Sequence, residues 1–249
     1  MGPLQDLAIV GAGLVAGAMN AVVGSGSLLT FPTLLAVGYP SVLANVSNTV
    51  GISPGSVSAV VGYRQELRGQ GRRALTFGAF STAGAVLGAI LLLTLPGSAF
   101  DAIVPVLILI ACTLIAIQPW LIRKLASVHK RHLGIAAAVG VFATGVYGGY
   151  FGAAQGVILI ALFGIVLDDE LQRLNALKNV LAAVANVVGA VVFIAVSHVA
   201  WTAAGLIAVS SVCGAQIGAR YGRRIPPKPL RAIIVVVGTT VAVTLIARG

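Results

Sequence analysis

Two long apolar blocks, each interrupted by glycines near its middle, restrict the folds open to this chain. The blocks cover residues 4–38 and 133–167, and the glycines cluster at 17–26 and 145–156. A continuous helix of about 35 residues would be about 52 Å long, whereas the hydrocarbon core of a membrane is roughly 30 Å thick. We therefore expect each block to turn back on itself at its glycines, where the absence of a Cβ permits a tight turn.

The two glycine clusters match each other when the two blocks are aligned. With Gly17 placed against Gly145, Gly24 meets Gly152, and an apolar run follows each cluster. Paired interruptions at corresponding positions of two halves are typical of the substrate site of a secondary transporter.

The composition indicates that the chain lies in a bilayer. Hydrophobic residues make up 58% of the chain and charged residues 9%, and the mean hydropathy is +1.03. Soluble domains carry about 25% charged residues. We interpret the net charge of +10 as basic cytoplasmic loops of a membrane protein, and we do not expect a nucleic-acid partner.

Charged residues and Pro/Gly breaks divide the chain into eight apolar blocks. These are residues 4–38, 42–63, 74–95, 101–122, 133–167, 171–197, 201–219 and 229–247. Helices are expected, because each backbone polar group in lipid must be satisfied within its own segment. Basic residues cluster in the loops at 64–73, 123–131 and 220–228, which the positive-inside rule assigns to the cytoplasm. The short connections at 96–98 and 197–200 carry no Lys or Arg and are expected outside.

Counting crossings from these loops gives the predicted topology. The block at 133–167 must begin and end inside, and the block at 4–38 must begin and end outside, with both termini external. We therefore predict an all-α polytopic membrane protein with ten helical segments, six of them full spans and four forming two hairpins. Residues 1–249 form one transmembrane domain of two inverted-topology repeats, 1–122 and 133–249, joined by a basic cytoplasmic loop. Each repeat has a glycine-broken hairpin plus three further transmembrane helices.

Two glycine strings carry a resemblance to a known family. They read Gly17-x-x-Asn20-x-x-x-Gly24-x-Gly26-x-x-x-x-x-Pro32 and Gly145-x-x-Gly148-x-x-x-Gly152-x-x-x-Gly156. With these strings, and over essentially its whole length, the chain resembles the sulfite exporter TauE/SafE family of membrane permeases. The resemblance implies a secondary permease that moves small sulfur-containing or organic anions, such as sulfite or sulfoacetate, across the bacterial inner membrane.

The distribution of charge favours an anionic substrate. All six acids lie in loops or at block edges: Asp6, Glu66, Asp101, Asp168, Asp169 and Glu170. A cation would lack a counter-charge in the membrane, and a carboxylate proton relay has no candidates. The returning arm of each hairpin would place a helix N-terminus near the midplane, where free N–H groups and the helix dipole favour an anion.

These arguments define a candidate substrate site without metal, cofactor or catalytic residues. Its predicted members are Asn20, Gly24, Ser25, Gly26, Ser27, Asn48, Gly152, Gln155, Gly156, Lys178 and Asn179. Lys178 lies about 10 Å into its block and either binds the anion, snorkels to the cytoplasmic face or pairs with the acids at 168–170. The serines and glycines either line the site or allow close helix packing. Valine at Gly26 or Gly156 is expected to remove transport with only a modest loss of folded protein.

Three classes of function compete. An alternating-access anion permease is the leading one, and an anion channel or an importer of another small anion has the same features. An intramembrane enzyme or an assembly subunit is the third, but the chain has no His-Glu-x-x-His or Gly-x-Ser-x-Gly motif and no paired intramembrane acids. We therefore predict that the protein is not an enzyme. The sequence leaves open whether it forms a homo-oligomer.

Overall fold

The computed structural model describes residues 2–125, 134–221 and 227–248, and throughout these ranges the regular structure is helical. The ten helices are α1 Pro3–Val22, α2 Ser27–Val37, α3 Ser41–Gly62, α4 Gly71–Thr94, α5 Gly97–Leu125, α6 Gly134–Tyr150, α7 Gln155–Val166, α8 Leu171–Val196, α9 Trp201–Tyr221 and α10 Pro227–Arg248. The predicted ten segments and the all-α class are confirmed. The loop at 123–132, predicted to join the repeats, falls mostly outside the described residues, as do Arg223 and Arg224.

Both predicted helix breaks are present, at residues 23–26 and 151–154. Gly24 has φ +86° and Gly152 has φ +75°, a left-handed conformation that favours glycine. The N–H of Gly24 donates to the carbonyl oxygen of Met19, and the N–H of Gly152 donates to that of Tyr147, each over 3.0 Å. Met19 and Tyr147 correspond when Gly24 is aligned with Gly152, so both turns begin with the same hydrogen bond. They differ two residues later, where Gly26 has φ −57° and Ala154 has φ +60°.

The returning arms are short. Helix α2 has 11 residues and α7 has 12, so they are about 16 and 18 Å long. Each length is roughly half the thickness of a hydrocarbon core. If the outer ends of α2 and α7 reach the membrane surface, the two hairpin tips lie near the midplane.

Five of the described helices are long and apolar enough to span a membrane: α1, α4, α5, α8 and α9. Helix α3 has a comparable length of 22 residues but is less apolar. Its polar side chains face other helices rather than lipid, and Asn45, Ser47, Asn48 and Ser56 are all buried. The outward faces of other helices carry exposed apolar side chains such as Val106 and Val209, as expected for contact with lipid.

Helices of the two halves pack closely against each other at corresponding places. A Cβ at Gly84 of α4 would overlap the carbonyl oxygen of Phe142 in α6, and one at Gly214 of α9 would overlap that of Leu14 in α1. Leu14 and Phe142 correspond when the two hairpins are aligned, and Gly84 and Gly214 each begin a Gly-x-x-x-Gly motif. These small residues let the helix backbones approach, as in other membrane bundles. The paired contacts support the predicted correspondence of the two halves. The opposite orientation of the halves in the membrane stays a prediction.

Two of the connections predicted to lie inside, those before α4 and before α8, meet at one end of the bundle. Asp169, between α7 and α8, forms ion pairs of 2.8 Å with Arg73 and 2.7 Å with Arg173. Burial by itself would raise the pKa of the Asp169 carboxyl. Hydrogen bonds from the Glu170 N–H, Arg173 and Arg73, with the charge of Arg173, outweigh burial and lower that pKa from its usual value. The beginning of α4 and the α7–α8 connection therefore lie on the same face, as the crossing count requires.

Candidate functional site

The tips of the two hairpins contact each other through their backbones. The N–H of Gly156, at the start of α7, donates to the carbonyl oxygen of Gly24 over 3.2 Å. A Cβ at Gly24 would lie 2.5 Å from the Cα of Gly156. Glycine at both positions is what permits this approach. The two breaks, far apart in sequence, thus form one junction inside the bundle.

Lys178 of α8 lies at this junction and is completely buried. Its Nζ donates to the carbonyl oxygens of Asn20 at 3.3 Å and Ala21 at 3.5 Å. These are among the last carbonyls of α1, which carry the partial negative charge of a helix C-terminus. Its aliphatic chain runs beside the other tip, because a Cβ at Gly156 would lie 3.0 Å from its Cδ. The hydrogen bonds of Lys178 therefore go to α1 rather than to the acids at 168–170.

Two asparagines of α8 hold the same end of α1. The Nδ2 atoms of Asn175 and Asn179 donate to the carbonyl oxygen of Ala21 at 3.4 and 3.2 Å. Asn175 is not among the predicted site residues. Its spacing from Lys178 and Asn179, three and four positions, places all three on one helix face and is the signal that identifies it.

A hydroxyl that the sequence reasoning missed joins α1, α3 and α8. Ser56 Oγ accepts hydrogen bonds of 2.9 Å from the Nδ2 atoms of Asn20 and Asn186. Asn20 is partly exposed, whereas Ser56 and Asn186 are buried. Nothing in the sequence around Ser56 separates it from the neighbouring serines of α3, so its role depends on the packing of the three helices.

Three predicted site residues carry buried polar atoms without a partner among the described residues. These atoms are Ser25 Oγ, Asn48 Nδ2 and Gln155 Nε2, on side chains that are 1%, 1% and 2% exposed. Asn48 uses its oxygen to accept a hydrogen bond from Thr30 Oγ1. A buried polar group left unsatisfied costs about 1–3 kcal/mol. An amide nitrogen can only donate, so at least two of the three atoms require an acceptor.

The two tips differ in the backbone donors that they leave available. At the first tip, the N–H groups of Ser25, Gly26 and Ser27 make no hydrogen bond to a described residue. At the second, Gly156 donates to Gly24 and Gln155 donates to Gly152 over 3.3 Å. The two predicted helix N-termini therefore differ: the first tip is open and the second is partly engaged.

The chain matches the sulfite exporter TauE/SafE family over residues 9–245. It belongs to this family. The protein is a multi-pass membrane transporter and not an enzyme, in keeping with its family and its relatives.

Curated relatives match over most of their length. The chain is 27% identical to the "Probable membrane transporter protein ORF9" of Sinorhizobium sp., over 98% of this chain and 95% of that protein. It is 26% identical to the "Probable membrane transporter protein YfcA" of Escherichia coli K12, over 94% of this chain and 86% of the relative. A "Probable membrane transporter protein" of Haemophilus influenzae is 25% identical over 84% of this chain and 81% of its own. No solved structure matches.

Proposed function

We propose that the protein is a secondary permease for a small anion in the bacterial inner membrane. Its substrate is a sulfur-containing oxyanion or organosulfonate, such as sulfite or sulfoacetate, carried by alternating access. The observation that carries the proposal is the set of unpartnered donors at the hairpin tips, on Ser25 and Gln155, together with that of Asn48, whose oxygen is bonded to Thr30 one turn into α2. The oxygens of an oxyanion are the acceptors that these donors need.

The charges around the junction support an anion rather than a cation. Lys178 lies against both tips and is completely buried. On the described helices that meet at the tips, the only carboxylate within a helix is Asp6, at the beginning of α1. Asp6 is 14 positions before Asn20, or about 21 Å along the helix axis. A cation at the junction would face Lys178 without a nearby acid.

The proposed site retains all eleven predicted residues with unequal roles. Ser25, Gly26, Ser27, Asn48 and Gln155 supply donors, and Lys178 supplies charge. Gly24, Gly152 and Gly156 shape the turns, and Asn20 and Asn179 hold the end of α1 against α3 and α8.

Alternating access suits the burial of the site. The side chains of Ser25, Asn48, Gln155 and Lys178 are all buried, so a substrate requires a rearrangement to reach them. An open channel would instead need a continuous aqueous path past these groups. The two hairpins, each packed against a helix of the other half, are the elements whose relative movement would expose the site alternately.

Flux into liposomes tests the proposal. Purified protein is reconstituted, and uptake of labelled sulfite and sulfoacetate is compared with uptake of labelled choline as a cation. We expect saturable uptake of at least one anion, acceleration by the same anion trapped inside, and no choline uptake. Current steps in a planar bilayer without acceleration by trapped anion would instead identify a channel. Choline uptake without anion uptake would contradict the proposed substrate class.

A further inference from the structure

The buried ammonium of Lys178 has no acidic partner in the part of the chain that the structure describes. Its two hydrogen bonds, at 3.3 and 3.5 Å, go to neutral carbonyl groups at the end of α1. Burying a charge without a counter-ion is costly, and a lysine in such a place easily loses its proton. Carbonyls accept a hydrogen bond from either the ammonium or the neutral amine. The site therefore tolerates both protonation states.

Among their described residues, the helices packed against α8 place no acid close to this position, and Tyr63, directly after α3, packs in one cluster with Ala21 and Ala176. Helix α1 contributes Asp6 at its far end, and α3 and α7 contain no ionisable side chain. Helix α4 contributes Arg72 and Arg73 in its first turn, and α6 contributes Tyr147 and Tyr150. Tyr147 donates its own proton to the carbonyl oxygen of Ala153 over 2.5 Å. On α8 itself, Arg173 is more than one turn from Lys178 and is paired with Asp169.

We propose that Lys178 carries the proton that couples anion movement to the proton gradient, an inference that rests on the proposed function. The amine takes up one proton on one side of the membrane and binds one anion there. After the tips rearrange, the anion leaves and the ammonium releases its proton on the other side. The empty transporter returns with a neutral lysine, so each cycle moves one proton and one anion in the same direction.

The arrangement supplies a single proton carrier. With Asn48 aligned to Asn179, Lys178 corresponds to Ser47 in the first half. The Ser47 hydroxyl accepts a hydrogen bond from the N–H of Ala200 over 2.9 Å. A hydroxyl in that role carries no exchangeable charge. Transport of a monovalent anion is then electroneutral, and transport of a dianion moves one net negative charge.

Coupling is measured in liposomes with a pH indicator trapped inside. Methanesulfonate serves as a monovalent probe whose charge does not change with pH, and sulfoacetate serves as a dianion; labelled sulfite is included for exchange. With an acidic exterior and an alkaline lumen, we expect anion accumulation and acidification of the lumen by one proton per anion. Clamping the membrane potential should leave methanesulfonate accumulation unchanged and alter that of sulfoacetate.

The variant Lys178→Arg separates coupling from binding, because a guanidinium cannot be deprotonated in a protein. The loaded variant can still cross, but its empty form cannot return as a neutral species. The readout is the ratio of the two activities: we expect accumulation driven by the pH gradient to fall at least tenfold further than anion exchange falls. The matched control is Ser58→Ala, which removes a hydroxyl bonded to the carbonyl oxygen of Val212, away from the tips, and should retain both activities.

The outcomes distinguish this inference from the function on which it rests. Gradient-driven accumulation by Lys178→Arg at the parental rate overturns the coupling role, as does anion transport by the parent without acidification of the lumen. Should none of the three anions be exchanged or accumulated by the parent protein, the proposed function itself fails. If Lys178→Arg does not fold, the parent protein still tests the coupling: one proton per anion supports it, and a ratio near zero overturns it.

Discussion

The carbonyl oxygen of Ala21 accepts hydrogen bonds from three side chains of α8, Asn175, Lys178 and Asn179. This cluster orders the end of α1 one residue before the helix stops. The adjoining turn then presents Ser25 and the following N–H groups to the junction. The conformation of the first hairpin tip therefore depends on polar contacts from α8. The same helix also contacts Gly156 of the second hairpin, through the aliphatic chain of Lys178.

Gln155→Glu tests the proposed donors with almost no change of shape. A carboxylate replaces an amide whose nitrogen has no partner, so it should repel an anion and reduce uptake at least tenfold. Uptake of labelled sulfite or sulfoacetate per folded molecule checks this. The matched control is Gln118→Glu in α5, which also places an acid on a buried side chain. Equal losses in the two variants would contradict a role for Gln155 in binding.

Lys178→Met separates charge from packing at the junction. The methionine keeps an unbranched apolar chain beside Gly156, and removing an unpaired buried charge is often neutral or stabilising. We expect transport to be abolished while the melting temperature in detergent stays within a few degrees of the parent. Normal uptake by this variant would show that the lysine serves only to anchor α1.

The positions of the donors could be predicted from the sequence, but their partners could not. Ser25, Gln155 and Lys178 stand out because each is a polar residue within a long run of apolar residues. The bonds from Lys178 to Asn20 and Ala21 join residues that are far apart in sequence and depend on how α8 crosses α1. No local pattern encodes that crossing, and the expectation of snorkelling arose from considering α8 alone.

At the scale of helices, the turns are where sequence and structure agree best. Positive φ at Gly24 and Gly152 follows from a local requirement, the lack of a Cβ, which a sequence displays directly. The packing contradicts the expectation that valine at Gly26 or Gly156 would leave folding nearly intact. A Cβ at Gly26 would overlap the carbonyl oxygen of Ala16 and lie 2.9 Å from Ile52 Cδ1, and a Cβ at Gly156 would lie 2.5 Å from the Cα of Gly24.

Alanine at Gly24 and at Gly152 should therefore have different effects. Both positions have positive φ, which costs a non-glycine residue about 1–2 kcal/mol. At Gly24 the new Cβ would also lie 2.5 Å from the backbone of Gly156, whereas at Gly152 the nearest atom is 3.1 Å away. We expect Gly24→Ala to lower the folded yield and melting temperature in detergent more than Gly152→Ala. The reverse order would contradict the contact between the tips.

The connection between α7 and α8 should show a pH-dependent contribution to stability. Because the folded-state pKa of Asp169 is lowered, its contribution is fully present above the pKa of about 3.9 in an unfolded chain and is lost as pH falls through the lower folded value. Asp169→Asn should reduce stability at pH 7 by about 1 kcal/mol, since Arg73 and Arg173 are partly exposed. The difference from the parent in thermal unfolding should shrink below about pH 4. The control Glu170→Gln removes a neighbouring exposed acid and should reduce stability less. An equal loss of stability in both variants would contradict the specific pairing of Asp169 with Arg73 and Arg173.

For the whole molecule, the sequence predicts both the number of segments and which connections share a face. Loop charge and block length are sufficient because the bilayer fixes how far a helix must run. The close approach of α1 to α9 and of α4 to α6 was not predicted, although Gly84, Gly88, Gly214 and Gly218 indicate small-residue faces. Such a face indicates close packing without identifying its partner.

The predicted topology is tested by reporters. A green fluorescent protein fused after Arg248 should stay dark because both termini are expected outside, and alkaline phosphatase at the same place should be active. After Gln70, in a loop expected inside, the green fluorescent protein should be fluorescent and the alkaline phosphatase should be inactive. A fluorescent fusion at the C-terminus would contradict the crossing count and the inversion of the repeats.

The packing of α1 against α9 also has a consequence for synthesis of the chain. Helix α1 ends at Val22 and α9 begins at Trp201, so most of the chain is added between them. At a synthesis rate of about 5–20 residues per second, this interval lasts roughly 10–40 s. During that time the glycine face of α1 lacks the helix that will cover it. The first hairpin emerges early but can reach its final surroundings only near the end of translation.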